Sequence, residues 1–482
     1  MPRDARLALL GVLAAVAAAA LALGPLQGIT HVPDEHAYAL QARLLASGGW
    51  LGEAPRDPEY VAQAFVRFEP GLHAIFPPGW PLVLALGALV GATWLVNPLL
   101  SGLLPLLAFR LTQAVADERA AWRAAVLAAL SPGLVVMAAS HMSHTSTLVA
   151  GLALACAAVG ALGAWWAGLA GAYLVLVRPF EAVVVGLPLM AWLLWKRRAW
   201  QVVVLPGLAA AALLAWNASL TGDWATFPSR AYFALNEARP GCDSLGFGPE
   251  HGCSPVLGSY GHTVEKAWTI FVANAHSFAR LALGWTPLAL VAVWGLPALV
   301  RRAGLVALPL VALPLAYAFY WTQGAAFGAR FYHLAYLALL PAAGIGLARM
   351  GRAGWAVLLL GAAYGQVRLS SELEGYWCAD ARVSEAVAGT TGLAWYRVSG
   401  TSEAGWPYVG TETMVCDPGT AWNAALGQVP LDGPLQLRVW PGRADVARGY
   451  GRKLYPGEGN RLLDHDLASG ELTLGELPPR ER

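Results

Sequence analysis

Long apolar runs separated by short polar segments fill the chain up to about residue 366. Such runs are typical of α-helices that cross a bilayer, since one span needs roughly 20 mostly apolar residues. Beyond residue 366, short apolar patches alternate with glycine and proline turns, which indicates a small globular domain with strands near 392–398, 413–416 and 435–440 and a helix near 381–388. The pattern predicts about 11 spans, at 7–24, 98–111, 122–139, 145–164, 165–177, 181–195, 200–216, 281–300, 305–321, 331–348 and 355–366.

The fold class that this pattern predicts is an all-α polytopic membrane bundle over residues 1–366, followed by a small C-terminal α/β domain over 367–482. The run 7–24 follows two arginines and resembles a signal peptide. We interpret it as a retained first helix, because its length suits a span and more spans follow.

The stretch 80–96 is also apolar, but a twelfth span there would place the basic clusters on both sides of the membrane. Cytoplasmic loops carry an excess of lysine and arginine, so the clusters should share one side. They do so if this stretch is an interfacial or re-entrant helix, which is tolerated where protein covers its backbone. The N-terminus is then cytoplasmic and the C-terminal domain extracytoplasmic, with the basic clusters at 3–6, 110–123, 196–198, 301–302 and 349–352 inside.

Composition and cysteines agree with a membrane location. The chain is 57% hydrophobic and 13% charged, unlike a soluble protein, and its net charge of +2 is too small to indicate a nucleic-acid partner. Cys156 lies within a span, Cys242 and Cys253 share the predicted outer loop, and Cys378 and Cys416 share the tail. Because the outer compartment is oxidising, the last two pairs are candidate disulfides, although an unpaired state stays open.

The segment 31–49 follows the first span on the predicted outer side. Its apolar residues recur at helical spacing, Pro33 suits a first helical turn, and two glycines end the pattern. Asp34 and Glu35 then lie in that first turn. Carboxylates there cap a helix and complement its dipole, so a purely structural role stands beside a catalytic one.

Other polar groups fall on the same predicted outer face. His141 and His144 occupy a turn between two spans, where they could hydrogen-bond a ligand or cap the next helix and face water. Arg178 and Glu181 could pair on a helix, or they could serve a function, because ionisable groups at membrane depth are costly. Arg330 begins a predicted helix, where it could meet phosphate oxygens or snorkel to the interface.

Four short motifs occur in order along this face: Asp34-Glu35, Pro77-Pro78-Gly79-x-Pro81, Arg178-Pro179-Phe180-Glu181 and Gly328-Ala329-Arg330-Phe331-Tyr332. In their order and sidedness, residues 1 to about 350 resemble the membrane glycosyltransferases of the C type (GT-C). That class includes the protein O-mannosyltransferases and the transferases that add aminoarabinose to lipid A. The loop runs Leu245-Gly246-Phe247-Gly248 and Gly261-His262-Thr263 are similar to those of a further bacterial branch.

The resemblance implies an integral-membrane glycosyltransferase of a bacterial inner membrane. It would move a sugar from a polyprenyl-phosphate donor to a lipid, glycan or protein acceptor on the extracytoplasmic face. The general base would be Asp34, and Glu35 is the less favoured catalytic candidate of the pair. The residues expected to bind the donor phosphate and sugar are Arg330, Arg178, His141, His144, Glu181 and Tyr332.

The chain departs from the class in the turn 140–145, where many members carry a second acid and this sequence has none. His141 and His144 could bind the phosphate or sugar instead, and with Asp34 they could hold a divalent metal. Neither a cofactor nor a metal is expected to be needed, because the ligand set is incomplete.

Two other functions stay open. A transporter or flippase of a lipid-linked precursor would be expected to carry charges inside its spans and two related halves with broken helices. A non-catalytic scaffold would act through its tail. The sequence shows few charges within spans and no repeat, which favours the transferase.

Overall fold

The computed structural model describes residues 1–53, 65–235, 239, 241–253, 256–257, 259–373 and four short strands beyond them. The chain divides into two compact units. Unit 1 consists of Met1–Leu21, Pro77–Trp80 and Leu95–Ser371, and unit 2 of Ala22–Phe76, Pro81–Trp94 and Glu372–Arg482.

The described residues form mainly helices. In chain order these are α1 (Arg3–Leu23), α2 (Pro33–Ala46), α3 (Gly79–Ala88), α4 (Val96–Ser101), α5 (Leu104–Val115), α6 (Glu118–Leu130), α7 (Pro132–Ala139), α8 (His144–Val159), α9 (Ala164–Val177), α10 (Pro179–Glu181), α11 (Leu187–Arg197), α12 (Gln201–Thr221), α13 (Pro228–Ala234), α14 (Val264–Leu283), α15 (Leu290–Ala307), α16 (Pro309–Tyr317), α17 (Tyr336–Arg349) and α18 (Ala353–Leu373). Short 3₁₀ turns cover Thr93–Leu95, Thr286–Ala289 and Arg330–Ala335, and a π-helical turn covers Ala182–Gly186.

Within the described part of the chain, six helical stretches are long and apolar enough to cross a membrane, and α6 with α7, bent by 42°, would make a seventh. The chain is therefore a multi-pass membrane protein, while the count of about 11 spans stays a prediction. Helix α3 has 10 residues and so extends about 15 Å, half of a bilayer core. This length agrees with the interfacial or re-entrant helix predicted there. The six stretches are Arg3–Leu23, Thr93–Val115, Pro179–Arg197, Gln201–Thr221, Thr286–Ala307 and Arg330–Arg349.

The structure corrects the boundary predicted at the start of the span 281–300. Residues 281–283 close α14, and Gly284 ends that helix in the left-handed conformation with φ +84°. The spanning stretch begins at Thr286 instead. Helix α14 is itself a 20-residue amphipathic helix within the predicted outer loop, and the side chain of Thr263 caps it by accepting a hydrogen bond from the Lys266 amide at 3.2 Å.

The stretch from Arg330 to Arg349 forms the centre of unit 1, with nearly all of its residues buried. Helix α17 packs against α15 and α6. The α15–α17 crossing depends on glycine, because a Cβ at Gly295 would meet the carbonyl of Ala342, and one at Gly346 would meet the carbonyl of Val291. Small residues of this kind let membrane helices approach closely.

Substituting Gly295→Ala is expected to destabilise the bundle by about 1–3 kcal/mol, since the added methyl group forces two backbones apart. Thermal unfolding in detergent would show it as a lower Tm. Gly304→Ala is the matched control on the same helix, because its Cβ would meet nothing within 4 Å. Equal Tm values for the two variants would contradict the close crossing.

Unit 2 contains α2 and a two-stranded antiparallel hairpin of β1 (Val66–Arg67) and β2 (His73–Ala74). The Gln41 side chain joins them, because it donates to the Trp50 carbonyl at 2.9 Å and accepts from the Ala74 amide at 2.9 Å. His73 is fully buried, and desolvation lowers its pKa. The ring is therefore neutral at pH 7 and fixed by a bond from Nδ1 to the Gly71 carbonyl.

The tail contributes four strands to unit 2: β3 (Ala394–Tyr396), β4 (Trp406–Tyr408), β5 (Leu435–Arg438) and β6 (Leu474–Leu477). They form one sheet in the order β4-β3-β5-β6, in which β3 and β5 are parallel and the other pairs are antiparallel. Two of the predicted strands are thereby found. The predicted strand 413–416, the helix 381–388 and the pair Cys378 and Cys416 lie outside the described residues, so the α/β domain and its boundary at 366/367 stay predictions.

Candidate active site

The acidic pair begins α2, as predicted, but its two members differ in surroundings. Glu35 is fully buried, and its Oε2 accepts hydrogen bonds from the amides of His31 at 2.7 Å and Val32 at 3.2 Å. These two donors would otherwise be unsatisfied at the helix start, so Glu35 is a capping residue. Asp34 is half-buried in the same turn. The catalytic role of Asp34 stays a prediction.

Two side chains from elsewhere in the fold donate hydrogen bonds to the backbone carbonyl groups of the turn that carries the two histidines. The Asn97 amide donates to the carbonyls of Ser140 and Met142, both at 2.7 Å, and the Trp80 indole donates to that of His141 at 2.8 Å. All of these groups are buried. Trp80 reaches the turn because Gly79 lets the chain approach the Leu176 backbone, where a Cβ would lie 2.8 Å away. The Pro-Pro-Gly run therefore serves to place Trp80.

Both histidines of this turn are buried, each with 3% of its surface exposed, so the interpretation that they face water is wrong. His144 begins α8, and its ring meets that of His333 edge to face with centroids 6.0 Å apart. Among the residues described, both ring nitrogens of His144, the hydroxyls of Ser143 and Thr145, and Nε2 of His333 have no hydrogen-bond partner in the protein. Buried polar groups are normally paired, so such a set indicates a place for a polar ligand or water.

A second buried cluster joins Arg178, Glu181 and Tyr317. Arg178 Nε donates to Glu181 Oε1, so the two residues form the ion pair that was one of the two interpretations of the sequence. Arg178 Nη2 donates to the Tyr317 hydroxyl at 3.3 Å. That hydroxyl donates to Glu181 Oε1 at 2.7 Å. The three groups orient one another, and the π-helical turn that follows Glu181 is a feature often found at functional sites.

Tyr317 also connects this cluster to Arg330. Its ring stacks on Phe331 with centroids 4.5 Å apart and planes 3° apart, and the Arg330 guanidinium lies 5.3 Å from the Phe331 ring. Arg330 is half-buried and begins the helical stretch Arg330–Arg349, as predicted, and the first turn of that stretch is 3₁₀. The positive charges of Arg178 and Arg330 both act on His144. These residues of unit 1 therefore form a largely buried, electropositive cluster suited to an anion.

Of the predicted binding residues, the structure brings Arg178, Glu181, His144 and Arg330 into this cluster. Tyr332 follows Arg330 by two residues and is buried. Its hydroxyl forms a hydrogen bond with the Asn274 side chain of α14. His141 lies in the clamped turn, where its carbonyl is used to hold the backbone.

Sequence reasoning missed two residues of this cluster, Tyr317 and His333. Both lie in strongly apolar runs, where a single aromatic or imidazole side chain is typical of an interfacial or core residue. Only their contacts with Glu181 and His144 reveal them.

A metal site would need several carboxylate, thiolate or imidazole ligands converging on one point. No group of three or more His, Cys, Asp or Glu side chains within the described ranges is arranged to hold a metal ion. The predicted Cys242–Cys253 disulfide is confirmed, and Cys156 is buried and unpaired in α8.

Comparison with solved structures shows the fold of the chain. ArnT from Cupriavidus metallidurans, bound to undecaprenyl phosphate, matches 91% of this chain and 94% of its own length, with a TM-score of 0.56 and 15% identity. The apo state of that protein gives a TM-score of 0.50 at 13% identity and the same coverage. The fold that the resemblance to the C-type glycosyltransferases predicts is thereby confirmed.

An oligosaccharyltransferase from Archaeoglobus fulgidus, solved with Zn and sulfate, matches 76% of this chain and 53% of its own length, with 16% identity and a TM-score of 0.44. A likeness of that size carries no argument about this chain. No family model matches the sequence, and no curated protein matches it.

Proposed function

We propose that the chain is an integral-membrane glycosyltransferase that moves a sugar from a polyprenyl-phosphate donor to an acceptor on the extracytoplasmic face of a bacterial inner membrane. The observation that carries the proposal is the buried pair His144 and His333 beside the positive charges of Arg178 and Arg330. Both ring nitrogens of His144 and Nε2 of His333 have no hydrogen-bond partner among the described residues. The solved structure of ArnT, which has the same fold, holds undecaprenyl phosphate, an anion of the kind that such a cluster would bind.

The reaction needs a base for the acceptor and cations for the leaving group. Asp34 takes the proton from the acceptor hydroxyl, whose oxygen forms a bond to the anomeric carbon. The bond from that carbon to the phosphate oxygen breaks, and its electron pair leaves with the polyprenyl phosphate. A single displacement of this kind inverts the anomeric configuration.

Arg330 meets the phosphate oxygens, since a guanidinium can bind them in bidentate fashion. His144 and His333 supply further ring nitrogens for the phosphate or the sugar. Glu181 and Tyr317 orient Arg178, which places a second positive charge beside the first. No step requires a metal ion or another cofactor.

Purified protein in proteoliposomes tests the function. With a polyprenyl-phosphate-linked sugar labelled in the sugar, we expect the protein to release polyprenyl phosphate and to transfer the label to extracted envelope acceptors or to water. A panel of hexose and pentose donors, read by mass spectrometry, would name the sugar and the acceptor. If the labelled donor crosses the bilayer with its sugar–phosphate bond intact and no donor is cleaved, the protein is a flippase and the proposal fails.

A further inference from the structure

A separate groove of about 740 Å³ opens in unit 1, where the end of α14 meets the start of the next span and α18. Its lining includes two arginines and one histidine together with a tryptophan. These residues are His276 and Arg280 of α14, Trp285 after it, and Arg368 near the end of α18. The groove shares no residue with the cluster around His144, so it is a separate polar feature.

The charge of the groove is positive. Arg280 is half-buried, and Arg368 and His276 are exposed. Glu372, four residues beyond Arg368 on α18, is an exposed acid nearby in sequence, and two guanidinium groups outnumber one carboxylate. Arginine is the residue best suited to phosphate, because its planar fork donates to two oxygens at once.

Hydroxyl and imidazole groups add hydrogen-bonding capacity on one wall. The Thr286 hydroxyl lies 3.3 Å from Nδ1 of His276, which orients that ring within the groove. Thr286 begins the short 3₁₀ turn that leads into the span, so the wall is part of the rigid helix start.

Apolar side chains beside the groove are exposed on α15 and α18. Leu290 and Val293 of α15 expose 67% and 60% of their surfaces, and Tyr364 and Val367 of α18 expose 52% and 75%. In a multi-pass membrane protein, such side chains face lipid tails. Trp285, 55% exposed, is of the type that anchors at the headgroup level. The groove thus places two arginine side chains next to a surface that would face lipid acyl chains.

We propose that this groove binds the phosphate headgroup of an anionic membrane lipid, with Arg280 and Arg368 on the phosphate and the acyl chains along α15 and α18. Neither guanidinium belongs to the proposed transfer chemistry, so the inference holds whether or not the chain is a glycosyltransferase. A basic cluster at a membrane surface attracts anionic lipid with roughly 1 kcal/mol per arginine, which corresponds to about a fivefold change in affinity.

Native mass spectrometry of the full chain in detergent, titrated with phosphatidylglycerol or phosphatidylcholine, tests the proposal. The wild type should retain phosphatidylglycerol preferentially. Arg280→Gln and Arg368→Gln should each weaken its binding about fivefold, and the double variant should weaken it about 25-fold. Arg301→Gln is the matched control, because it removes an exposed arginine from the other end of α15 and should leave binding unchanged.

Two outcomes would overturn the proposal. One is equal retention of phosphatidylglycerol by the wild type and the double variant with Tm values that show both to be folded. The other is displacement of the lipid by millimolar inorganic phosphate, which would make the groove a site for a small anion without selectivity for lipid.

Discussion

Replacing Asp34 by asparagine is expected to lower kcat for sugar transfer by about 10²- to 10⁴-fold, the range that general-base catalysis contributes. The amide has the same shape as the carboxylate but cannot accept the acceptor's proton. Donor binding should be kept, because the proposed phosphate contacts come from unit 1. The measurement is transfer and donor binding in proteoliposomes. Full activity of Asp34→Asn would remove Asp34 from the reaction.

Substitutions at two other acidic residues distinguish a loss of catalysis from the effects of a lost charge or of reduced stability. Asp4→Asn removes an exposed carboxylate whose side chain is 94% accessible and should leave both Tm and turnover unchanged. Glu35→Gln weakens the cap on the amides of His31 and Val32, so it should lower Tm by the equivalent of about 1 kcal/mol. A loss of turnover in Glu35→Gln at unchanged Tm would mean that Glu35 takes part in the chemistry.

The second large effect is expected at Arg330. Arg330→Gln should raise KM for the lipid-linked donor by about 10- to 100-fold, because a hydrogen bond to a charged group contributes about 1.5–3 kcal/mol. Titration of polyprenyl phosphate against the variant measures the loss without turnover. Arg352→Gln, an exposed arginine after α17, is the matched control and should bind the lipid phosphate as the wild type does.

Arg178 requires a different design, because it is paired with Glu181. Arg178→Gln alone would leave a buried carboxylate without its partner, which typically costs about 3–5 kcal/mol, so reduced folding would hide any role in binding. The double variant Arg178→Gln/Glu181→Gln removes both charges. If it regains Tm and donor affinity together, the pair is structural only. If it regains Tm while donor affinity stays low, Arg178 contributes to phosphate binding.

The helical fold could be predicted from the sequence because a bilayer imposes a strong rule on composition. Apolar runs long enough to span, separated by basic clusters, leave few alternatives to a helical bundle. The exact ends of the helices could not be predicted in the same way. Hydropathy at 281–300 is continuous across Gly284, but the left-handed turn at that glycine divides α14 from the next span. Helix α14 itself was hidden because it is amphipathic rather than apolar.

The sequence by itself was enough to predict several candidate site residues: the acidic pair at 34–35, Arg178 with Glu181, His144 and Arg330. Motif order and spacing are local in the chain, so they can be read without a structure. What only the tertiary structure decided is which of these groups contact one another and which hydrogen bonds they form. Tyr317 joins Glu181 to the Arg330 segment, His333 reaches His144, and Glu35 is occupied in capping α2. These assignments depend on contacts between residues up to 189 positions apart, such as that between His144 and His333, which only helix packing creates.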